Sequence, residues 1–387
     1  MKQSNEVEIL LEAIKVCMLD KPTNKLAILL QREIDWGRLE KLVTFHAIRP
    51  VVFKALQEVD CRNEFYEKLK LRTFHQSVFN LATSKELSRL LNLFQQNQLR
   101  VIPYKGVLFI KEIYRNQALR ETHDLDLLVH PEDAKKALYL LLADGYVLDV
   151  NNFRKLDNDS IIQSLFETPG IIEVGLDKIS AVGINIHIDF HWHIKEEIHD
   201  FKVNYEAFFN ENGNINQSQN TLFTMLLIHH GGRECWTRLK HFCDLIAFIK
   251  TSGMSINDLE VIASELGMKK FLKIGLEILD QKFLDVEIGH SQKHKVISDI
   301  GNYWETGKVW QRLDHRLRFT KIYFSLLDEK ISIYIFVSNV YQYLSTPNFI
   351  ENPRLITFPK GFGLLNFISK VITFIWRKTI LQKRTLT

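Results

Sequence analysis

The spacing of apolar residues changes twice along the chain and divides it into three stretches. Over residues 1–98, apolar positions recur every third or fourth residue, as at Leu87 and Leu91, which predicts amphipathic helices. Residues 65–98 contain neither proline nor glycine, so long helices are expected there. Helical spacing returns after residue 200. The sequence therefore predicts two helical regions with a different kind of structure between them.

The middle stretch alternates short strand-like and helical segments. Residues 99–104 are rich in strand formers and end at a Lys105-Gly106 break, after which helical spacing resumes. Residues 124–130 alternate acidic and apolar side chains, and Pro131 then suits the first turn of a helix over 134–142. A strand, a helix, a strand and a helix in this order form an α/β unit.

A second strand signal lies at residues 184–194, where apolar and polar residues alternate without interruption. Such alternation predicts one face in the core and one polar face. The polar face would carry Asn185, His187, Asp189, His191 and His193. Residues 151–170 are polar and predict turns. We therefore expect an α+β fold, with a small mixed sheet over residues 99–200 flanked by helical regions over 1–98 and 201–387.

The most specific chemical feature is the pair Asp124 and Asp126. Two carboxylates two residues apart on a strand project from the same face, and their like charges are costly unless a cation lies between them. Oxygen ligands of this kind favour Mg²⁺ or Mn²⁺. A solvated pair of acids on an edge strand remains the alternative.

Three further features point to phosphate chemistry. Gly106 lies at a strand-to-helix turn beside Lys105, where backbone N–H groups and a helix N-terminus favour phosphate. Arg120 precedes Asp124 by four residues and could pair with an acid, with Glu121 at the surface or with a phosphate. Asp189, on the polar face of the later strand, could complete a cluster of three carboxylates. Carboxylates that share two metals recur in nucleotidyl transfer.

Here residues 105–146 resemble the uncharacterised nucleotidyltransferase family of the polymerase-β-like superfamily. That superfamily has a small-residue turn, a helix, Asp-x-Asp on a strand and a third aspartate on a later strand. The matching positions are Lys105-Gly106, Asp124, Asp126 and Asp189, and the helical run over 226–249 is similar as well.

The resemblance implies a role for each of these residues. Asp124 and Asp126 would bind both metals, and Asp189 would bind the catalytic metal and help to take the acceptor proton. Gly106 and its neighbours would hold the phosphates of a nucleoside triphosphate (NTP). One position departs from the superfamily, because Val107 stands where a second small residue is usual.

The resemblance predicts an Mg²⁺- or Mn²⁺-dependent enzyme that transfers a nucleoside monophosphate (NMP) from an NTP to an acceptor hydroxyl. Two alternatives stay open. The Lys-Gly turn is compatible with a catalytically degenerate module that binds nucleotide or a partner. The set His187, Asp189, His191 and His193 resembles the ligands of a zinc hydrolase, although same-face residues on a strand lie about 6–7 Å apart, too far for all four to bind one ion. The acceptor is open between a protein or peptide, a small molecule and an RNA end.

Composition narrows the class of protein. The chain has 387 residues, of which 46% are hydrophobic, and only 17 are glycine and 8 proline, so wholly disordered and collagen-like classes are excluded. Its four cysteines are scattered, which argues against a disulfide framework. No membrane span or signal peptide is predicted, and we expect a cytoplasmic protein.

The net charge of +4 is concentrated at the C-terminal end, where residues 351–387 hold seven Lys or Arg and one acid. Residues 364–378 form an imperfect amphipathic pattern with a basic edge. This pattern predicts a helix that either packs on the body, lies on a membrane surface or binds an acidic partner.

Overall fold

The structure is a computed structural model, and it describes residues 3–149, 158–167, 171–180, 183–194, 201–210, 212–216, 218–284, 295–306, 313–327, 341, 358 and 361–376. Contacts divide the chain into two units. The first comprises Met1–Leu127, Ile179–Ile186 and Phe201–Glu329, and the second comprises Leu128–Lys178, His187–Asp200 and Lys330–Thr387. The three predicted domain ranges follow a different division and stay a prediction.

The N-terminal region is helical, as predicted. Its helices are α1 (Asn5–Leu19), α2 (Asn24–Leu30), α3 (Trp36–His46), α4 (Arg49–Glu58) and α5 (Glu64–Gln96). Local sequence explains their starts: the side chains of Ser4, Asp35 and Asn63 each accept a backbone N–H in the first turn of a helix. Helix α1 packs against α2, α3, α4 and a later helix, α10 (Leu239–Ser252). Together these helices form the core of the first unit.

Five strands form one mixed sheet in the order β1-β2-β5-β4-β3. The strands are β1 (Val101–Pro103), β2 (Leu125–Val129), β3 (Val147–Leu148), β4 (Glu173–Ile179) and β5 (Asn185–His191). Strands β3 and β4 run antiparallel, with Val147 opposite Asp177. Strand β2 has a neighbour on each side, so the Asp-x-Asp pair does not belong to an edge strand. The mixed α/β class is confirmed.

Three helices accompany the strands. They are α6 (Gly106–Phe109), which continues as a π-helical turn over Ile110–Tyr114, α7 (Ala134–Ala143) and α8 (Asn158–Glu167). The expectation of turns throughout residues 151–170 was wrong for α8. This helix buries Ile161, Ile162 and Leu165 on one side, an apolar stripe that its many polar residues conceal in the sequence.

The C-terminal half is helical in every element that the structure describes after residue 217. These helices are α9 (Gln219–Leu226), α10, α11 (Ile256–Glu265), α12 (Lys269–Leu279), α13 (Lys295–Thr306), α14 (Leu313–Leu326) and α15 (Gly363–Trp376), with π-helical segments at Leu227–Arg233 and Asp280–Leu284. No helix among the described residues has both the length and the apolar character needed to cross a membrane.

Helix α15 corresponds to the amphipathic pattern at the C-terminal end. Several of its apolar side chains are exposed, with Leu364 and Ile372 at 61% and 60% exposure. The polar Asn366 is buried instead, where its side chain exchanges two hydrogen bonds with the backbone of Phe358 at 2.8 and 3.0 Å. A membrane surface or an acidic partner for this helix stays a prediction.

Candidate active site

The turn between β1 and α6 has an unusual backbone. Both Lys105 and Gly106 have positive φ angles, +47° and +35°. A Cβ atom on Gly106 would stand 2.9 Å from Oδ2 of Asp126 and 3.3 Å from Oγ1 of Thr122. Glycine is therefore required here for two reasons, the backbone angle and the approach of the Asp126 carboxylate.

Lys105 reaches the same carboxylate from the other side. Its Nζ lies 2.7 Å from Oδ1 of Asp126, and the exposures of the two side chains are 14% and 1%. Burial by itself lowers the pKa of Lys105, but the charges of Asp126 and Asp124 outweigh it, so the pKa lies above its usual range. The turn thus holds an ion pair between Lys105 and Asp126 at its centre.

The two aspartates differ in their surroundings. Asp126 is buried within β2, whereas Asp124 is half-buried just before the strand. Thr122 Oγ1 donates to the backbone oxygen of Asp124 at 3.0 Å and lies 3.4 Å from its Oδ1. The intervening Leu125 is buried, as the alternating pattern predicts. The carboxylate of Asp124 therefore retains oxygens that can take a hard cation.

Arg120 is buried and tied into the structure of the turn. Its Nε and Nη2 donate to the two carboxylate oxygens of Asp244, each at 2.9 Å, and its Nη1 donates to the carbonyl of Gly106 at 3.1 Å. Asp244 lies on α10, 124 residues further along the chain. The sequence suggested a phosphate or an acid as the partner of Arg120; the structure pairs it with an acid and makes it a support of the Gly106 turn.

The loop that leads into β2 is held from helix α5. Gln76 donates to the carbonyl of Thr122 at 2.6 Å, and Asn80 donates to the carbonyl of Arg120 at 3.0 Å. Glu121 is fully buried and forms an ion pair with Arg49 at the start of α4. These contacts fix the backbone that places Asp124 and Asp126.

A π-helical segment, Leu227–Arg233, borders this network. It contains His229, His230 and two glycines, and a Cβ on Gly232 would lie 2.6 Å from the ring of Phe201, so only glycine fits that position. His230 Nε2 lies 2.8 Å from Oδ2 of Asp244. Burial lowers the pKa of His230, which favours the neutral ring. π-Helical turns are often found at functional sites.

Positive charge gathers around the same place. Lys240, at the start of α10, is half-buried, and burial together with the charges of Arg120 and Arg238 lowers its pKa to about 8. Burial lowers the pKa of His123, which directly precedes Asp124, and the pKa of His229, and the charge of Lys240 contributes to both shifts. Carboxylates and cationic side chains close together suit a metal-bound polyphosphate.

Asp189 belongs to the second unit and is described with it. His187 lies between two acids there, with Nδ1 3.0 Å from Asp177 and Nε2 3.3 Å from Asp189. Ligand atoms of His187, Asp177 and Asp149 lie within 4.8 Å of one another, close enough to hold one cation.

Of the other histidines in the zinc hypothesis, His191 ends the same strand, β5, and His193 lies two residues beyond it. His191 pairs with Glu173 at 2.8 Å and is fully buried, so this position of the predicted polar face is not exposed to solvent. Its surroundings are those of a core histidine with an acidic partner, and these contacts do not support the four-residue zinc set.

A comparison with models of protein families shows to which family the chain belongs. Residues 32–283 match the model of a family described as an uncharacterised nucleotidyltransferase. The chain belongs to this family. The resemblance read from the motifs is confirmed, and the match covers the turn, the Asp-x-Asp pair, Asp189 and the π-helical segment. No curated protein and no solved structure matches the chain.

In this nucleotidyltransferase family member, the structure brings together four of the six residues singled out from the sequence. Lys105, Gly106 and Asp126 lie at the turn, and the side chain of Arg120 joins them by its hydrogen bond to the carbonyl of Gly106. Asp124 lies just before β2, two residues from Asp126. The roles of all six in metal and nucleotide binding stay predictions. Asp244 and His230 were not assigned to the site from the sequence, although a lone aspartate in the apolar run over 239–249 is a signal of a buried charged partner.

Proposed function

We propose that this nucleotidyltransferase family member is an Mg²⁺- or Mn²⁺-dependent enzyme that moves an NMP from an NTP to an acceptor hydroxyl and releases pyrophosphate. One observation carries the proposal: a strand-to-helix turn of Lys105 and Gly106 lies directly on the carboxylate of Asp126, two residues from the half-buried Asp124. The core around it, residues 99–200, would be polymerase-β-like.

The donor set of this turn fits a divalent cation. Asp124 and Asp126 offer only oxygen, which Mg²⁺ prefers, and Asp126 is so close to Gly106 that its carboxylate has little freedom. Asp124 and Asp126 would hold the metal ions, and the family resemblance gives Asp189 the role of a further metal ligand. When bound, the metal would neutralise the triphosphate and lower the pKa of the attacking hydroxyl.

The protein's own residues would orient the triphosphate. Arg120 holds the carbonyl of Gly106 and so fixes the turn on which the phosphates would lie. Lys105 and Lys240 would supply positive charge to their oxygens. Nucleotidyl transfer depends on in-line positioning and charge stabilisation, which such a rigid, cationic turn provides.

A second function is favoured by the Lys105–Asp126 pair. An ammonium 2.7 Å from the carboxylate already neutralises it, so the site could bind nucleotide or a partner without turnover. If the protein is an enzyme, its acceptor would be a protein or peptide, a small molecule or an RNA end. The protein would work in the cytoplasm.

The test uses the four NTPs labelled at the α-phosphate, each with Mg²⁺ or Mn²⁺, in lysate of the native host. The wild type is compared with the variant Asp124→Ala/Asp126→Ala and with Glu260→Gln, a control on the exposed face of α11. Transfer of label by the wild type and Glu260→Gln alone supports the enzyme and gives the size of the acceptor. Metal-dependent NTP binding without transfer supports the binding module instead.

A further inference from the structure

A hydrogen-bonded chain runs from Asp244 through His230 to His229. His230 Nε2 lies 2.8 Å from Oδ2 of Asp244, and His230 Nδ1 lies 3.2 Å from Nδ1 of His229. All three residues belong to the first unit, and the ring of His230 stacks on that of His241 with the centroids 4.4 Å apart. These contacts fix the positions of the two histidine rings relative to Asp244.

The chemistry of these contacts determines where the protons are. Asp244 is held as a carboxylate by Arg120 and accepts only, so His230 must donate from Nε2. A neutral His230 then presents a lone pair at Nδ1. The proton between the two rings must come from His229, which therefore carries hydrogen on Nδ1 and a lone pair on Nε2.

This tautomer is the less common one for a free histidine, and the hydrogen bonds from Asp244 through His230 select it. The ring of His229 is half-buried and lies within the field of Lys105, whose ammonium rests on Asp126. The same hydrogen-bonded residues are joined to the Gly106 turn, because Arg120 donates both to Asp244 and to the carbonyl of Gly106. A histidine oriented by a buried carboxylate has the arrangement of a general base.

We propose that His229 is the general base that takes the proton of the acceptor hydroxyl. Its Nε2 lone pair accepts that proton while the acceptor oxygen forms a bond to the α-phosphorus, and the bond to the bridging oxygen breaks so that pyrophosphate leaves with the electron pair. His230 and Asp244 are positioning residues, which hold the tautomer and stabilise the charged ring. This inference rests on the proposed nucleotidyl transfer, and it assigns to His229 the proton that the family resemblance gave to Asp189.

The charged or titratable groups that act most strongly on His229 are Lys105, His230, Arg233 and Lys240. Burial is the largest cause that lowers the pKa of His229, and the charge of Lys105 is the next. The ring therefore stays unprotonated well below pH 6.5, so the acid limb of the activity profile lies below that pH.

The experiment compares the wild type with His229→Gln, whose amide can still donate a hydrogen bond to His230 but cannot take a proton. The matched control is His75→Gln, at an exposed histidine on α5. The readout is transfer of α-labelled NMP as a function of pH. We expect kcat of His229→Gln to fall by about 10²–10⁴-fold, KM for the NTP to stay within about threefold, and the acid limb to disappear, while His75→Gln matches the wild type.

A second measurement needs no acceptor. In wild-type protein with ¹⁵N-labelled histidine, long-range ¹H–¹⁵N spectra at pH 7 report the tautomer, and the signals missing in His229→Gln assign the ring. We expect hydrogen on Nδ1. Hydrogen on Nε2, or full activity with an unchanged acid limb in His229→Gln, would overturn the inference and leave the transferase intact. A wild type that transfers nothing would overturn the proposed function itself, and with it the role of His229.

Discussion

Replacement of Gly106 by alanine probes the turn at its tightest point. The new methyl group would stand 2.9 Å from Oδ2 of Asp126 and 3.3 Å from Oγ1 of Thr122, and the residue would have to keep a φ of +35°. A left-handed backbone costs an L residue about 1–2 kcal/mol. The displaced carboxylate would also weaken its charged hydrogen bond to Lys105, a contact of a kind worth about 1.5–3 kcal/mol. We expect a loss of about 2–4 kcal/mol in the free energy of unfolding.

Gly301 provides a matched control, because a Cβ on it would meet no heavy atom within 4 Å. It lies within α13, where glycine costs about 0.5–1 kcal/mol relative to alanine. Gly301→Ala should therefore stabilise the protein slightly, whereas Gly106→Ala should destabilise it. The same substitution would thus have opposite effects at the two sites.

The assay combines urea denaturation with hydrogen exchange of peptides that cover residues 101–115. Gly106→Ala should lower the urea midpoint and speed exchange in these peptides, while peptides from α11 (Ile256–Glu265) stay unchanged. If Gly106→Ala matched the wild type in both measurements, the close approach of Asp126 to the turn would be refuted, and the site geometry with it.

Three further predictions concern the buried charges. Lys105→Met leaves the Asp126 carboxylate buried without its ammonium and should lower the free energy of unfolding in urea by about 3–5 kcal/mol. If that carboxylate is a metal ligand, added Mg²⁺ should restore part of this loss. No response to Mg²⁺ would argue against the metal site. Arg120→Lys cannot make two parallel bonds to Asp244 and should lower stability by about 1.5–3 kcal/mol, and an unchanged urea midpoint would contradict this account of the pair. His46 is fully buried, and burial lowers its pKa from 6.5 to about 3. The unfolded chain binds this proton below pH 6.5 and the folded chain only near pH 3, so the free energy of unfolding from urea denaturation should fall as the pH drops through that window, by at most about 1.4 kcal/mol per pH unit. His46→Gln should remove that part of the slope, and an unchanged slope would contradict the assignment.

Much of the site could be predicted from the sequence because its signals are local. The Lys105-Gly106 break, the alternation around Asp124 and Asp126 and the strand that carries Asp189 each depend on neighbours within a few residues. The structure confirms the strand-to-helix turn and both strands. Periodicity and turn chemistry therefore defined the elements on which the candidate residues lie.

The supporting network could not be predicted in the same way. Arg120 and Asp244 are 124 residues apart, and Tyr114 donates to the same carboxylate from 130 residues away. Spacing along the chain carries no information about such a pair, because it depends on how α10 packs beside the turn. The burial of His191 was missed for a similar reason, since its acidic partner, Glu173, lies on another strand.

Transfer of a nucleotidyl group by this site would separate the α-phosphate of the NTP from its γ-phosphate. The most direct measurement is a parallel incubation with ATP, or with whichever NTP is active in lysate, labelled either at the α- or at the γ-phosphate. If the protein is a nucleotidyltransferase, α-label enters the product and γ-label appears in pyrophosphate, in equal amounts, and Asp126→Asn abolishes both. γ-Label in the product, or γ-label released as inorganic phosphate without α-transfer, would contradict it.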